Sequence, residues 1–309
     1  MSESLALQAI GLTRFFNGRC AVQDLHLSVP RGGVFGFLGR NGSGKTTTIR
    51  LLLGLLRPDR GTSTLLGCDS QRLTPEIRAR VGYVTEEHCV VSGLSVAENA
   101  AFQSQFYPRW NSRVFDSVVG HFGLKAKTRA RDLSRGERAG LALAMALAPE
   151  PELLILDDPA LGLDPVARRA LVESMIYITR RSDRTIFFSS HDLADIERVA
   201  DSIAILDHSV LRACCPVDVF QSRVKRYRLR FTGRPPAFPE IYGVLQVRRG
   251  ELEVQVTGVA EGDELGTALS ALGAESMEQV PIGLGDSVLS FLSERGEKSI
   301  AWGTEKEEA

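Results

Sequence analysis

The stretch Gly39-Arg40-Asn41-Gly42-Ser43-Gly44-Lys45-Thr46 constrains this chain more than any other part of it. It matches G-x-x-x-x-G-K-[ST] at every fixed position. It follows the apolar run Val34–Leu38, which reads as a buried strand, and precedes a helical pattern from Thr47 to Leu53. That strand–turn–helix context gives the motif its meaning. The glycines let the backbone curl so that successive N–H groups converge on phosphate oxygens. The helix that starts there adds its positive end. Lys45 supplies a point charge for the β- and γ-phosphates, and the Thr46 hydroxyl is placed to ligate Mg²⁺. A glycine-rich turn without a ligand is the bland alternative, and the flanking strand and helix disfavour it. A nucleoside triphosphate is the expected ligand, and with no N-K-x-D motif to read guanine, ATP is favoured over GTP.

The rest of the chain alternates strand-like and helix-like segments as far as about residue 220, an α/β pattern. Leu153–Leu156 and Thr185–Phe188 are apolar runs followed at once by polar residues, as buried parallel strands with functional groups at their carboxyl ends would be. Ser95 to Phe122 has helical character, with Phe102 and Phe106 four apart on one face, a stripe that reads as core. A helical insert over about 90–133 is expected. Near Gln221 the pattern changes. Tyr227–Phe231 and Leu252–Val256 alternate apolar with polar residues, as half-exposed antiparallel strands do, and two helical pieces follow near Glu264–Leu272 and Ser287–Ser293. The expected division is therefore a nucleotide-binding domain over 1–221 and a small α+β domain over 222–309, with a charged tail from Glu305.

Composition excludes more than it selects. A net charge of −1 gives no reason to expect nucleic acid as a partner. The greasiest stretch, Ala139 to Ala148, is about half the length of a spanning helix. The start, MSESLALQAIGLTRFF, does not read as a signal peptide. The five cysteines contain no CxxC pair, and reduced, mostly buried thiols are expected.

Beyond the phosphate loop, the order and spacing of several segments resemble the ATP-binding-cassette family over residues 5–220. They are Gly82-Tyr83-Val84-Thr85-Glu86, Leu133-Ser134-Arg135-Gly136-Glu137, Leu153–Pro159, Leu161-Gly162-Leu163-Asp164 and Ser189-Ser190-His191. The resemblance implies a P-loop NTPase cassette with a mixed sheet and a helical insert. It implies ATP and Mg²⁺ as ligands. Gly39, Asn41, Gly42, Ser43, Gly44, Lys45, Thr46 and Thr47 would hold the phosphates, and Thr46, Asp157 and Glu86 the metal. Asp158, His191 and Glu86 would be catalytic. Phe16 matches the aromatic that stacks on adenine, although Phe15 competes and either could equally be a core residue of the first sheet.

Three positions depart from the family pattern. Asp158 stands where the family has Glu, which draws the carboxylate back by about 1.5 Å. Glu86 stands where Gln is usual, with Glu87 adjacent. Arg135 replaces a glycine of the signature LSGGQ, and its side chain either points away or adds charge near a phosphate. Read without the family, Ser134 and Glu137 form a capping box that opens a helix Glu137–Ala148. That reading agrees with the role implied for Ser134, Gly136 and Glu137, which is to present a helix N-terminus to ATP held by another protomer. Asp164 resembles an aspartate that communicates across such a dimer.

The resemblance thus implies a dimer with itself or a paralogous cassette, closing on two ATP and driving separate transmembrane permease subunits, as in exporters. It places the chain at the cytoplasmic face of the membrane. Two alternatives are an ATP-gated switch with little hydrolysis and a soluble, non-transport cassette ATPase.

Overall fold

The computed structural model describes residues 5–180 and 184–292. The chain divides into two compact units, Met1–Cys214 and Cys215–Ala309, so the division falls ahead of the compositional change at Gln221. The charged tail expected from Glu305 lies outside the described residues.

The first unit is built on two sheets. The long strands β1 (Leu5–Phe16) and β2 (Arg19–Pro30) form an antiparallel hairpin. It is extended by β4 (Arg60–Leu65) and β5 (Cys68–Asp69), in the order β2-β1-β4-β5. The second sheet holds β3 (Val34–Gly39), β6 (Val81–Val84), β7 (Leu153–Asp157), β8 (Thr185–Ser190), β9 (Ser202–Asp207) and β10 (Val210–Pro216). Its order is β10-β9-β3-β8-β7-β6, and the pairings β9-β3-β8-β7-β6 are parallel. Strands β3, β7 and β8 are buried along their whole length, as continuous apolar runs between two covered faces must be.

Helix α1 (Lys45–Leu52) packs between the sheets. Its Ile49, Leu51 and Leu52 share one core with Leu7, Leu25 and Leu27 of the hairpin and Phe37, Ile155 and Phe187 of the parallel sheet. The short helix α2 (Pro75–Arg78) leads into β6. The expected insert is two helices, α3 (Val96–Ser104) and α4 (Ser112–His121), separated by a loop that contains Pro108. Proline disfavours helix at the residue before it, so the pattern breaks there. Phe115, Leu124 and Leu133 of this region pack on Leu141 and Met145 of α5 (Arg135–Leu147). Phe102 and Phe106 are not core. Their rings meet edge to face at 5.4 Å and are half exposed or more. Helices α6 (Pro165–Arg180) and α7 (Leu193–Val199) complete the unit.

In the second unit, α8 (Val217–Arg223) leads into an antiparallel sheet of β11 (Val224–Arg230), β12 (Val244–Arg249), β13 (Glu253–Val259) and β14 (Ser276–Val280), in the order β12-β13-β11-β14. Tyr227, Leu229, Val254 and Val256 point to one face and pack under Leu265 and Leu269 of α9 (Glu264–Ser270). Helix α10 (Leu284–Leu292) follows. Of the sheet, β12 and β14 escape sequence reading, because Val244–Arg249 and Ser276–Val280 carry too few apolar residues to alternate clearly. The thiols are all free, as expected, but none is fully buried and Cys89 is exposed. Cys214 does pack against the main core as a small hydrophobe.

Candidate nucleotide-binding and catalytic site

The phosphate loop leaves β3 at its carboxyl end and turns into α1 through Gly44, the N-cap. Gly44 sits at φ 108, and a Cβ there would run into the Ala21 carbonyl, so only glycine closes this turn. No side chain caps the helix, which leaves its first N–H groups for a ligand. The buried Ser43 Oγ has no hydrogen-bond partner among the described residues. Lys45 is also buried, and its Nζ donates to the Gly39 carbonyl at 2.7 Å. Burial pushes the Lys45 ammonium below its usual range, against the pull of Asp158, Asp157 and Glu86. Open helix N–H groups, an orphaned hydroxyl and a desolvated cation form a cradle suited to phosphate oxygens.

The floor of the cleft is the carboxyl end of β7. Thr46 Oγ1 donates to Asp157 Oδ1 at 3.1 Å, and Ser189 Oγ donates to the same oxygen at 3.0 Å. Ser189 is there because β7 and β8 pair in parallel with Asp157 opposite Ser189. Loss of water raises the Asp157 carboxyl above its usual range, outweighing the hydrogen bonds from Ser189 and Thr46 that favour the charged form. A desolvated carboxylate beside a threonine hydroxyl is the hard oxygen set that Mg²⁺ takes, so these residues fit that metal.

Asp158 leaves the strand in a left-handed turn, at φ 46. Its N–H donates to Ser189 Oγ at 2.9 Å and to the Ser189 carbonyl at 3.2 Å. Its carboxylate is 8% exposed and accepts from His191 Nδ1. His191 itself is exposed, at the end of β8.

Asn41, Gly42, Gly44, Lys45, Thr46, Thr47, Glu86 and Asp158 line one cleft. Glu86, rather than Glu87, reaches it. Gly39 stands behind the loop and accepts from Lys45. Phe16 is not among the lining residues. Phe15 and Phe16 are each about two-fifths exposed, so neither is core, and the Arg14 guanidinium lies 4.8 Å from the Phe16 ring centroid.

Ser134, Gly136 and Glu137 sit at the start of α5, away from this cleft. Ser134 Oγ accepts from Glu137 N–H, while Glu137 Oε2 accepts from Ser134 N–H at 2.8 Å, which completes the capping box. Arg135 lies against Gly162 of its own chain: a Cβ at Gly162 would stand 2.6 Å from the guanidinium carbon. Asp164 caps α6, its Oδ1 accepting from Val166 and Ala167. Ser189, beneath the cleft, and His88, outside its lining, escape sequence reading. Ser189 could have been found from the register of two buried strands ending in polar residues. His88 carries no motif. It is buried, and its imidazole is held below the usual range by desolvation and by the Arg135 and Arg138 charges.

Comparison with known proteins agrees with this geometry. Residues 22–161 match the family model for the ABC transporter. The chain is 33% identical over 226 residues to the bacitracin transport ATP-binding protein BcrA of Bacillus licheniformis, covering 72% of this chain and 74% of that protein. It is 36% identical over 209 residues to the daunorubicin/doxorubicin resistance ATP-binding protein DrrA of Streptomyces peucetius, covering 66% and 63%. The solved structure of an ATP-binding subunit of an ABC transporter superposes with a TM-score of 0.64 at 27% identity, over 70% of this chain and 92% of that one. Phosphate cradle, paired carboxylates and relatives point the same way: the chain belongs to the ATP-binding ATPase subunits of the ABC transporter family.

Proposed function

We propose that the chain hydrolyses ATP at this cleft, as a dimer with itself or a paralogous cassette, and drives separate membrane permease subunits. Export is the favoured direction, in line with the bacitracin transport and drug-resistance names of its relatives. Among the described residues no helix is long and apolar enough to cross a membrane, so the path for a transported molecule would belong to other chains. The chain would then sit at the cytoplasmic face through those subunits.

The observation that carries the reading is the convergence of Lys45, Thr46, Glu86 and Asp158 on one cleft, with Asp157 beneath it and His191 on the Asp158 carboxylate. Lys45 would exchange the Gly39 carbonyl for β- and γ-phosphate oxygens. Thr46, Asp157 and Glu86 would hold Mg²⁺, which when bound neutralises charge on those phosphates. Asp158 would orient a water on the γ-phosphorus and take its proton as the bond to the β–γ bridging oxygen breaks, leaving ADP and phosphate. His191 holds that carboxylate through its Nδ1 hydrogen, and in the imidazolium form its Nε2 hydrogen would reach the γ-phosphate. Ser134, Gly136 and Glu137 would serve the partner's ATP.

The test is steady-state ATP turnover of the native chain beside Lys45→Ala, Asp158→Asn and Asp158→Glu. Turnover abolished by Lys45→Ala and cut about 10²-fold or more by Asp158→Asn supports the reading. The short reach of Asp158, together with Arg135 and Glu86 at the other two altered positions, favours a second reading, an ATP-gated switch. A chain that binds ATP yet turns over only as Asp158→Glu would establish that one instead.

A further inference from the structure

Asp158 needs a fixed backbone more than a longer carboxylate would, because its reach is short. Its left-handed conformation, at φ 46, is strained and persists only where the surroundings hold it. On the N-terminal side the Ser189 carbonyl and hydroxyl take its N–H. On the C-terminal side the next carbonyl, that of Pro159, lies 2.7 Å from Nε2 of His88. A carbonyl only accepts, so Nε2 carries the hydrogen and donates. The residues bonded here are far apart in sequence, and His88 is 1% exposed.

His88 is also tied to the cleft. It stands two residues after Glu86, in a tight turn closed by its own N–H on the Thr85 carbonyl at 3.0 Å. We propose that His88 is a positioning residue for Asp158, clamping the Pro159 carbonyl so that the Glu86 turn and the Asp158 turn move as one body. It touches no substrate. Its effect is to hold the aspartate where the water must be met, and to make a ligand contact at Glu86 felt at Asp158. This rests on the hydrolytic role assigned to Asp158 above.

The experiment compares His88→Gln, His88→Met and His88→Asn in the full chain. Gln places a donor near the position of Nε2. Met fills the volume without a donor, and the Asn donor falls short. Gln and Met bear the same strain at φ 49, so backbone cost cancels between them. The readouts are kcat and KM for ATP, and the ring resonances of His191, which report the Asp158 carboxylate without requiring turnover. Gln is expected to stay within about threefold of native kcat, while Met and Asn lose about tenfold or more with KM unchanged. The His191 resonances should move in Met and Asn but not in Gln.

Met or Asn behaving like Gln in both readouts overturns the clamp, as does a loss confined to KM. A native chain that binds ATP without turning it over removes the hydrolytic reading instead. The His191 resonances then still decide whether His88 holds Asp158 in place.

Discussion

His191 Nδ1 lies 2.9 Å from one carboxylate oxygen of Asp158 and 3.0 Å from the other. The two side chains come from the ends of adjacent parallel strands and share one bonding arrangement, so they should act as a unit. Asp158→Asn and His191→Ala are each expected to lower turnover by about 10²-fold, and the double variant should be no worse than the poorer single. ATP affinity should hold in all three. Losses that simply multiply would mean that the residues act independently.

Ser189 joins both carboxyl-bearing residues, donating to Asp157 and accepting from the Asp158 N–H. Ser189→Ala leaves Asp157 with Thr46 and the Asp158 N–H with the Ser189 carbonyl, so the structure is expected to survive. The expected cost is about 1–3 kcal/mol in stability, together with a higher Mg²⁺ concentration for half-maximal turnover. Denaturant unfolding and a Mg²⁺ titration check both.

Asp157 makes stability depend on pH and metal together. Its folded-state carboxyl titrates above the unfolded value, so the favourable contribution is complete below the unfolded value and is lost as pH rises through the folded one. Asn can accept the same hydrogen bonds without charge. Asp157→Asn should therefore gain stability over native as pH rises above the unfolded carboxyl value in the nucleotide-free chain. Excess Mg²⁺-ATP should reverse that advantage, because the cation stabilises only the carboxylate. Thermal melts across pH, with and without Mg²⁺-ATP, show whether the two curves cross.

Gly162 at φ 70 lies under the Arg135 guanidinium, where a Cβ would overlap it. Gly162→Ala is expected to cost about 1–3 kcal/mol from backbone strain, plus whatever displacing Arg135 adds. Adding Arg135→Ala should recover the second part and leave the first. Full additivity in a double-mutant cycle would show that the two residues are not coupled.

The centre of the parallel sheet was legible in the sequence, because β3, β7 and β8 are continuous apolar runs and the loops carry motifs with fixed spacing. The mixed polar and apolar strands of the β2-β1-β4-β5 sheet were not. Val34–Leu38, Leu153–Leu156 and Thr185–Phe188 each became a buried parallel strand, and the Ser134–Glu137 capping box formed as its spacing requires. The misreadings have physical causes. Phe102 and Phe106 share a helical spacing, but spacing does not tell a covered face from an open one. Ser189 and His88 depend on strand register and on a tight turn, which juxtapose residues that sequence distance keeps apart. Strands β12 and β14 were hidden because polar edge positions blur a period of two.

Two of the three departures from the family pattern share an address. Glu86 and Asp158 lie just past the carboxyl ends of the paired parallel strands β6 and β7, on one cleft, while Arg135 opens α5. Folding and turnover are thereby written in separate stretches of the same elements. Single-codon changes at the rim can set the pace of the motor up or down while the frame that carries it is inherited intact.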